Sequence, residues 1–126
     1  MLLADRIWIG RFGEGGFAPE LAARWFVDRV IGLDTPLHDD WATLQGERHA
    51  LDTALVDWTR ALTEAELDAS LRYSRLNGET IEKPFRLALT HFFNHQTHHR
   101  GQVTTLLRQA GIDPGVTDLI ALPEDA

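Results

Sequence analysis

Four of the chain's six histidines fall within nine residues, in the string His91-Phe92-Phe93-Asn94-His95-Gln96-Thr97-His98-His99-Arg100-Gly101-Gln102. Imidazole binds divalent metals and moves protons near neutral pH, so the spacing of these residues decides what they can do. His95 and His99 are four apart. On a helix, residues so spaced stand one above the other, and two imidazoles reach one ion from the same side. His91 continues the row but lies eight residues from His99, about 12 Å of helix rise, too far for all three to share an ion. No Glu follows the first histidine of the pair, so the H-E-x-x-H protease pattern is absent. A second reading of the same residues is a set of hydrogen-bonded core histidines, with His98 solvated. In that case each buried imidazole needs a partner or costs about 1–3 kcal/mol.

The element that must position them is one long helix within Lys83 to Ala110. Pro84 suits its first turn, no proline interrupts it, and Gly111 followed by Pro114 stops it. Along it Ala88, Phe92, His95, His99, Gln102 and Leu106 recur at alternating spacings of four and three, the seam an amphipathic helix turns toward a core. His95 and His99 thus stand where leucine is expected. This run holds Lys83, Arg86, Arg100 and Arg108 and no acid, while the rest of the chain carries all 19 carboxylates. An anionic ligand is drawn to such a helix, although a helix simply packed among acidic neighbours shows the same asymmetry.

Earlier in the chain, Leu2 to Phe12 reads as the end of a helix stopped by Gly13, Gly15 and Gly16. Pro19 opens another through about Val30, with Leu21, Trp25 and Val30 apolar, closed by Gly32 and Asp34-Thr35-Pro36. Asp39 or Asp40 caps a third, to about Leu62, whose stripe is Trp41, Leu44, Arg48, Leu51, Leu55, Trp58 and Leu62. His49 lies beside that stripe, as a surface histidine does, and is the lesser candidate for a third ligand. Thr63 to Glu66 matches a capping box. Leu71 to Ser74 and Glu79 to Glu82 flank Asn77-Gly78, a strong short-range hairpin signal. In the tail, Leu119, Ile120 and Leu122 are expected to lie against the helices.

With 126 residues the chain fits one domain with a real core. A net charge of −7 argues against a general nucleic-acid binder. The absence of cysteine removes disulfides, thiolate ligands and any catalytic thiol of the protein's own. No long apolar run or basic-flanked leader is present, so the expectation is a soluble cytoplasmic protein without a membrane partner.

Taken together, Ala4-Asp5-Arg6-Ile7-Trp8, the Asn77-Gly78 hairpin, the string Asn94 to Gln102, and Leu106-Leu107-Arg108-Gln109-Ala110-Gly111 resemble the DinB/YfiT family of metal-binding four-helix bundles nearly end to end. The resemblance implies an all-α, up-and-down four-helix bundle over residues 1–126, a single domain with a short β-hairpin before the last long helix, commonly a homodimer. It implies a divalent ion, nickel or zinc, on three histidines, two of which map onto His95 and His99. The third stands in the family about one turn before the Asp of A-D-R-I-W, and would fall ahead of Met1. The family's first helix has no counterpart either, so the expectation is an N-terminally truncated member, one ligand short, with an apolar face for a second copy.

Characterised relatives of this kind resemble S-transferases and isomerases that use low-molecular-weight thiols in detoxification and stress response. By the same resemblance, Arg100 and Gln102 are expected to orient the ligands or contact an anionic group of a small-molecule substrate. Asp5 and Asn94 are expected to accept a histidine N–H. Arg100 equally suits a brace between helices, and Asp5 a contact to Arg6 or a helix end. From a different class, a chain short of one ligand is a non-catalytic or weakly metal-binding bundle acting as an interaction or structural protein.

Overall fold

The computed structural model describes residues 1–26, 36–75 and 77–121. In chain order they form α1 (Leu2–Glu14), α2 (Pro19–Trp25), α3 (Trp41–Ala61), α4 (Glu64–Leu67), β1 (Ser70–Ser74), β2 (Thr80–Pro84) and α5 (Phe85–Gln109), then a 3-10 turn at Leu119–Ala121. The architecture is mostly helical with one two-stranded antiparallel sheet. Two compact units make up the chain, Met1–Phe92 and Phe93–Ala126, and their boundary falls inside α5. None of the described helices is long and apolar enough to cross a membrane. The expected continuation of α2 to Val30 and its stop at Gly32 and Asp34-Thr35 lie outside the described residues, as does Leu122.

Within the first unit, α1 is buried around most of its circumference: Leu2, Leu3, Ile7, Ile9 and Phe12 do not share one stripe, the mark of a helix surrounded by protein. Phe12 is the centre. Its ring stacks on Trp58 at 5.4 Å and meets Phe85 and Phe92 edge-on, each at 5.6 Å, geometries that suit aromatic quadrupoles. Phe17 stacks on Phe85 at 4.0 Å, and the Trp58 indole N–H donates to the Phe17 carbonyl at 2.8 Å. Those contacts tie the loop after α1 to both α3 and α5. Between α1 and α2 the approach is close enough that a Cβ on Gly13 would meet the Ala22 Cβ at 2.2 Å.

Asp5 is 1% exposed in this apolar setting, and a buried carboxylate is tolerated only with a partner. Arg48 of α3 supplies it, pairing also with Asp52 on its own helix. Arg48 therefore interrupts the α3 stripe for a reason, while Leu51 and Leu55 bury as expected. Trp41, by contrast, stands out of the core: it begins the helix and is largely exposed.

Local signals set the element ends. Asp40 caps α3, accepting from the Thr43 backbone N–H at 2.7 Å. Thr63 and Glu66 close a reciprocal capping box on α4. The hairpin pairs Leu71 with Lys83 and Tyr73 with Ile81, and its turn places Gly78 at φ +82°, a conformation that favours glycine. Pro84 corrects the expected helix start, since it ends β2 opposite Ser70 and α5 begins one residue later. Lacking an N–H, proline suits a strand's terminal position as readily as a helix's first turn.

Candidate metal centre

Helix α5 runs 25 residues without an acidic side chain and ends in a Schellman cap. The Gly111 N–H donates to the Arg108 carbonyl at 3.0 Å, and the Ile112 N–H to the Leu107 carbonyl at 2.9 Å, with Gly111 at φ +75°. The expected stop signal is therefore realised. Burial along the seam departs from expectation. Ala88 and Phe92 are buried, but the next buried residue is Gln96, and His95 and His99 sit at intermediate exposure. Further on, Gln102 is exposed and Leu106 is 64% exposed. A 3.6-residue helix carries the row from Phe92 to Gln96 where a strict four-three alternation points to His95.

On the second half of α5 the His95 and His99 rings meet edge to face, with centroids 4.4 Å apart and Nε2 atoms 3.1 Å apart. His99 Nδ1 lies 2.7 Å from Gln102 Oε1. An amide oxygen only accepts, so His99 carries its proton on Nδ1 and, when neutral, presents a lone pair at Nε2. Two nitrogens bound to one tetrahedral ion at 2.0–2.1 Å stand roughly 3.3 Å apart. The observed separation is within a few tenths of an ångström of that spacing, so the pair fits a shared divalent ion. Without metal, the same geometry is a hydrogen bond in which His95 donates from Nε2 to His99.

Arg100 is exposed and donates from Nη2 to the Thr97 hydroxyl at 3.0 Å on its own helix. Asn94 and His98 are exposed, as is His49 on α3. Asp5, expected to accept a histidine N–H or to contact Arg6 or a helix end, stands in the first turn of α1 and accepts from Arg48, while Arg6 pairs with Glu47, which also takes His38 Nε2. Among the described residues no group of three His, Cys, Asp or Glu is placed to hold one ion.

Gln96 was not singled out by its sequence position. Its side chain is 8% exposed and its Nε2 finds no acceptor among the described residues. The signal available was the i, i+4 step from Phe92. In the tail, Leu119 and Ile120 correct the expectation of packing. Ile120 is 96% exposed, because a single 3-10 turn after Gly111, Pro114 and Gly115 is too short to present an apolar stripe. A cleft of about 510 Å³ in the first unit lies among Phe17, Leu21, Trp25, Ala54 and Trp58 and includes no histidine.

Fold and site together define a mostly helical chain with a small antiparallel hairpin and two imidazoles in contact one turn apart on its last long helix. The family model of the DinB family matches residues 1–126, the whole length given, and the chain belongs to that family. No curated protein matches it, and no solved structure does.

Proposed function

We propose that this DinB-family chain is a divalent-metal-dependent enzyme that joins a low-molecular-weight thiol to an electrophile or isomerises such an adduct, in detoxification or stress response. In this reading the helices form an up-and-down bundle, the protein is a cytoplasmic homodimer, and His95 and His99 hold nickel or zinc. The observation that carries it is the pair of facing Nε2 atoms, with Gln102 fixing the His99 tautomer. Held by imidazoles with open positions, such an ion supplies Lewis acidity, which lowers the pKa of a bound thiol or water. His95 must place its proton on Nδ1 to offer its Nε2 lone pair, whereas His99 is already in that form. Arg100 lies on the same helix and is the candidate to meet a substrate carboxylate.

Two protein donors leave the remaining positions to water, substrate or a second copy. That donor set favours one rival, a weakly metal-binding bundle serving as an interaction protein. The test is a conjugation assay on nickel- or zinc-loaded protein with a panel of small thiols and 1-chloro-2,4-dinitrobenzene. Turnover above the uncatalysed rate, lost in His95→Ala, supports the enzyme. Metal retained with no turnover for any thiol or electrophile leaves the rival.

A further inference from the structure

The hairpin sets two exposed cations, Arg75 and Lys83, at the rim of a cleft. Strand alternation places Leu71 and Tyr73 on one face of β1, with Arg75 just past its end, and the register opposite Leu71 and Tyr73 puts Lys83 and Ile81 on the same face of β2. Leu71 and Tyr73 are buried, so this face is turned toward the core. Lys83 and Arg75 are themselves exposed and stand at the rim. Helix α1 brings Trp8 and Arg11, three apart, to the same place, and α5 brings Leu87, Ala88 and His91. These side chains line a cleft of about 420 Å³, within the size range of small-ligand sites, and all belong to the first compact unit.

Arg11 is the pivot. Its guanidinium carbon lies 4.6 Å from the Trp8 ring centroid and 5.0 Å from that of Tyr73, so the cation is held against two aromatic faces. Its Nε is buried and has no acceptor among the described residues. Burial pulls its pKa below the ordinary range, with Tyr73 and Glu14 opposing and Arg75 adding to the fall. No carboxylate lines the cleft. The nearby acids are engaged: both Glu14 oxygens accept from Ser74, Glu79 takes Arg75 Nη1 at 3.0 Å, and Glu82 accepts from the Ser70 hydroxyl.

We propose that this cleft binds a small organic anion with a planar apolar body, in its simplest form an aromatic carboxylate. The carboxylate is taken by Arg11 and Lys83, with Arg75, already paired with Glu79, adding positive charge at the rim, and the ring by the wall of Trp8, Tyr73, Leu87 and Ala88. Charge-assisted contacts orient such a ligand, and the aromatic wall selects against a bare inorganic ion. The site shares no residue with the His95–His99 pair, so it stands or falls separately from the metal-dependent reaction.

The test is calorimetric titration of the full chain with 2-naphthoate and with its neutral counterpart 2-naphthalenemethanol, paired with indole N–H shifts assigned to Trp8. Naphthoate is expected to bind at least about tenfold more tightly than the alcohol and to move the Trp8 signal. Arg11→Met is expected to remove binding. Should that variant not fold, the Arg75→Ala/Lys83→Ala double variant carries the same test, because both side chains are exposed; it is expected to weaken naphthoate about tenfold while leaving the alcohol unchanged. His95→Ala/His99→Ala is expected to bind naphthoate as the wild type does. Equal affinity for acid and alcohol, or wild-type affinity in the double variant, would overturn the proposal and leave surface charges that guard a hairpin edge.

Discussion

From Phe85 to Phe92, helix α5 buries Phe85, Ala88 and Phe92, whereas beyond Phe93 the positions that continue the same spacing, Gln102 and Leu106, stand in solvent. The period is shared, but the neighbours are not. In the first half the aromatic rings of Phe12 and Phe17 reach that face, so each side chain there contributes packing. In the second half the row holds two imidazoles that contact each other and Gln102. Periodicity tells which residues share a face; it does not tell what covers that face. The His95–His99 contact lies on the half of the helix where Gln102 and Leu106 are exposed.

The sharpest way to break this contrast is by truncation on each half. Phe92→Ala should lower unfolding stability by about 3–5 kcal/mol, and Leu106→Ala should change it by no more than about 0.5 kcal/mol, both read from urea midpoints at constant slope. Equal costs would show that the second half is packed after all. The Asp5–Arg48 pair predicts a loss of similar size in the first unit. Arg48→Met leaves a buried carboxylate unpaired and should cost about 3–5 kcal/mol, while replacing both partners with apolar residues of similar volume should restore much of that.

Gln102→Ala sharpens the contrast from the other side, since an exposed residue should matter there for ligand geometry rather than for folding. Zinc affinity is expected to fall about 10–100-fold with stability nearly unchanged, measured by competition with a chromogenic chelator. An unchanged affinity would mean that Gln102 does not fix the His99 tautomer.

The smallest effect belongs to Glu14, whose carboxylate joins α1 to the hairpin. Hydrogen bonds from the Ser74 hydroxyl and backbone N–H hold its pKa below the ordinary carboxylate value. A depressed folded-state pKa contributes stability above the unfolded value and loses it as pH falls through the folded one. Glu14→Gln should therefore cost no more than about 1 kcal/mol at neutral pH, for a surface group, and the difference should vanish at acid pH. A difference that grows on acidification would contradict this assignment.

Much of the fold was legible because its determinants are local. Asp40, the Thr63–Glu66 box, Asn77-Gly78 and Gly111 act within a few residues of themselves, and each appears where the sequence places it. The long-range determinants were not legible. Arg48 in an apolar stripe gains its meaning only from Asp5, 43 residues away. Gln96 is buried by helix drift that a four-three count does not follow, and the single 3-10 turn Leu119–Ala121 is too short to form an apolar face. At the site, the four-residue spacing foretold that His95 and His99 would face one another. The role of Gln102 in setting a tautomer depends on a side-chain contact that spacing permits but does not require.

The measurement that tests the central claim most directly is elemental analysis of the chain purified without chelator or polyhistidine tag, beside His95→Ala/His99→Ala. About one divalent ion per chain in the wild type and none in the variant is the predicted result, since the paired imidazoles are the donors the account assigns. Metal absent from the wild type, or present equally in both, would contradict it.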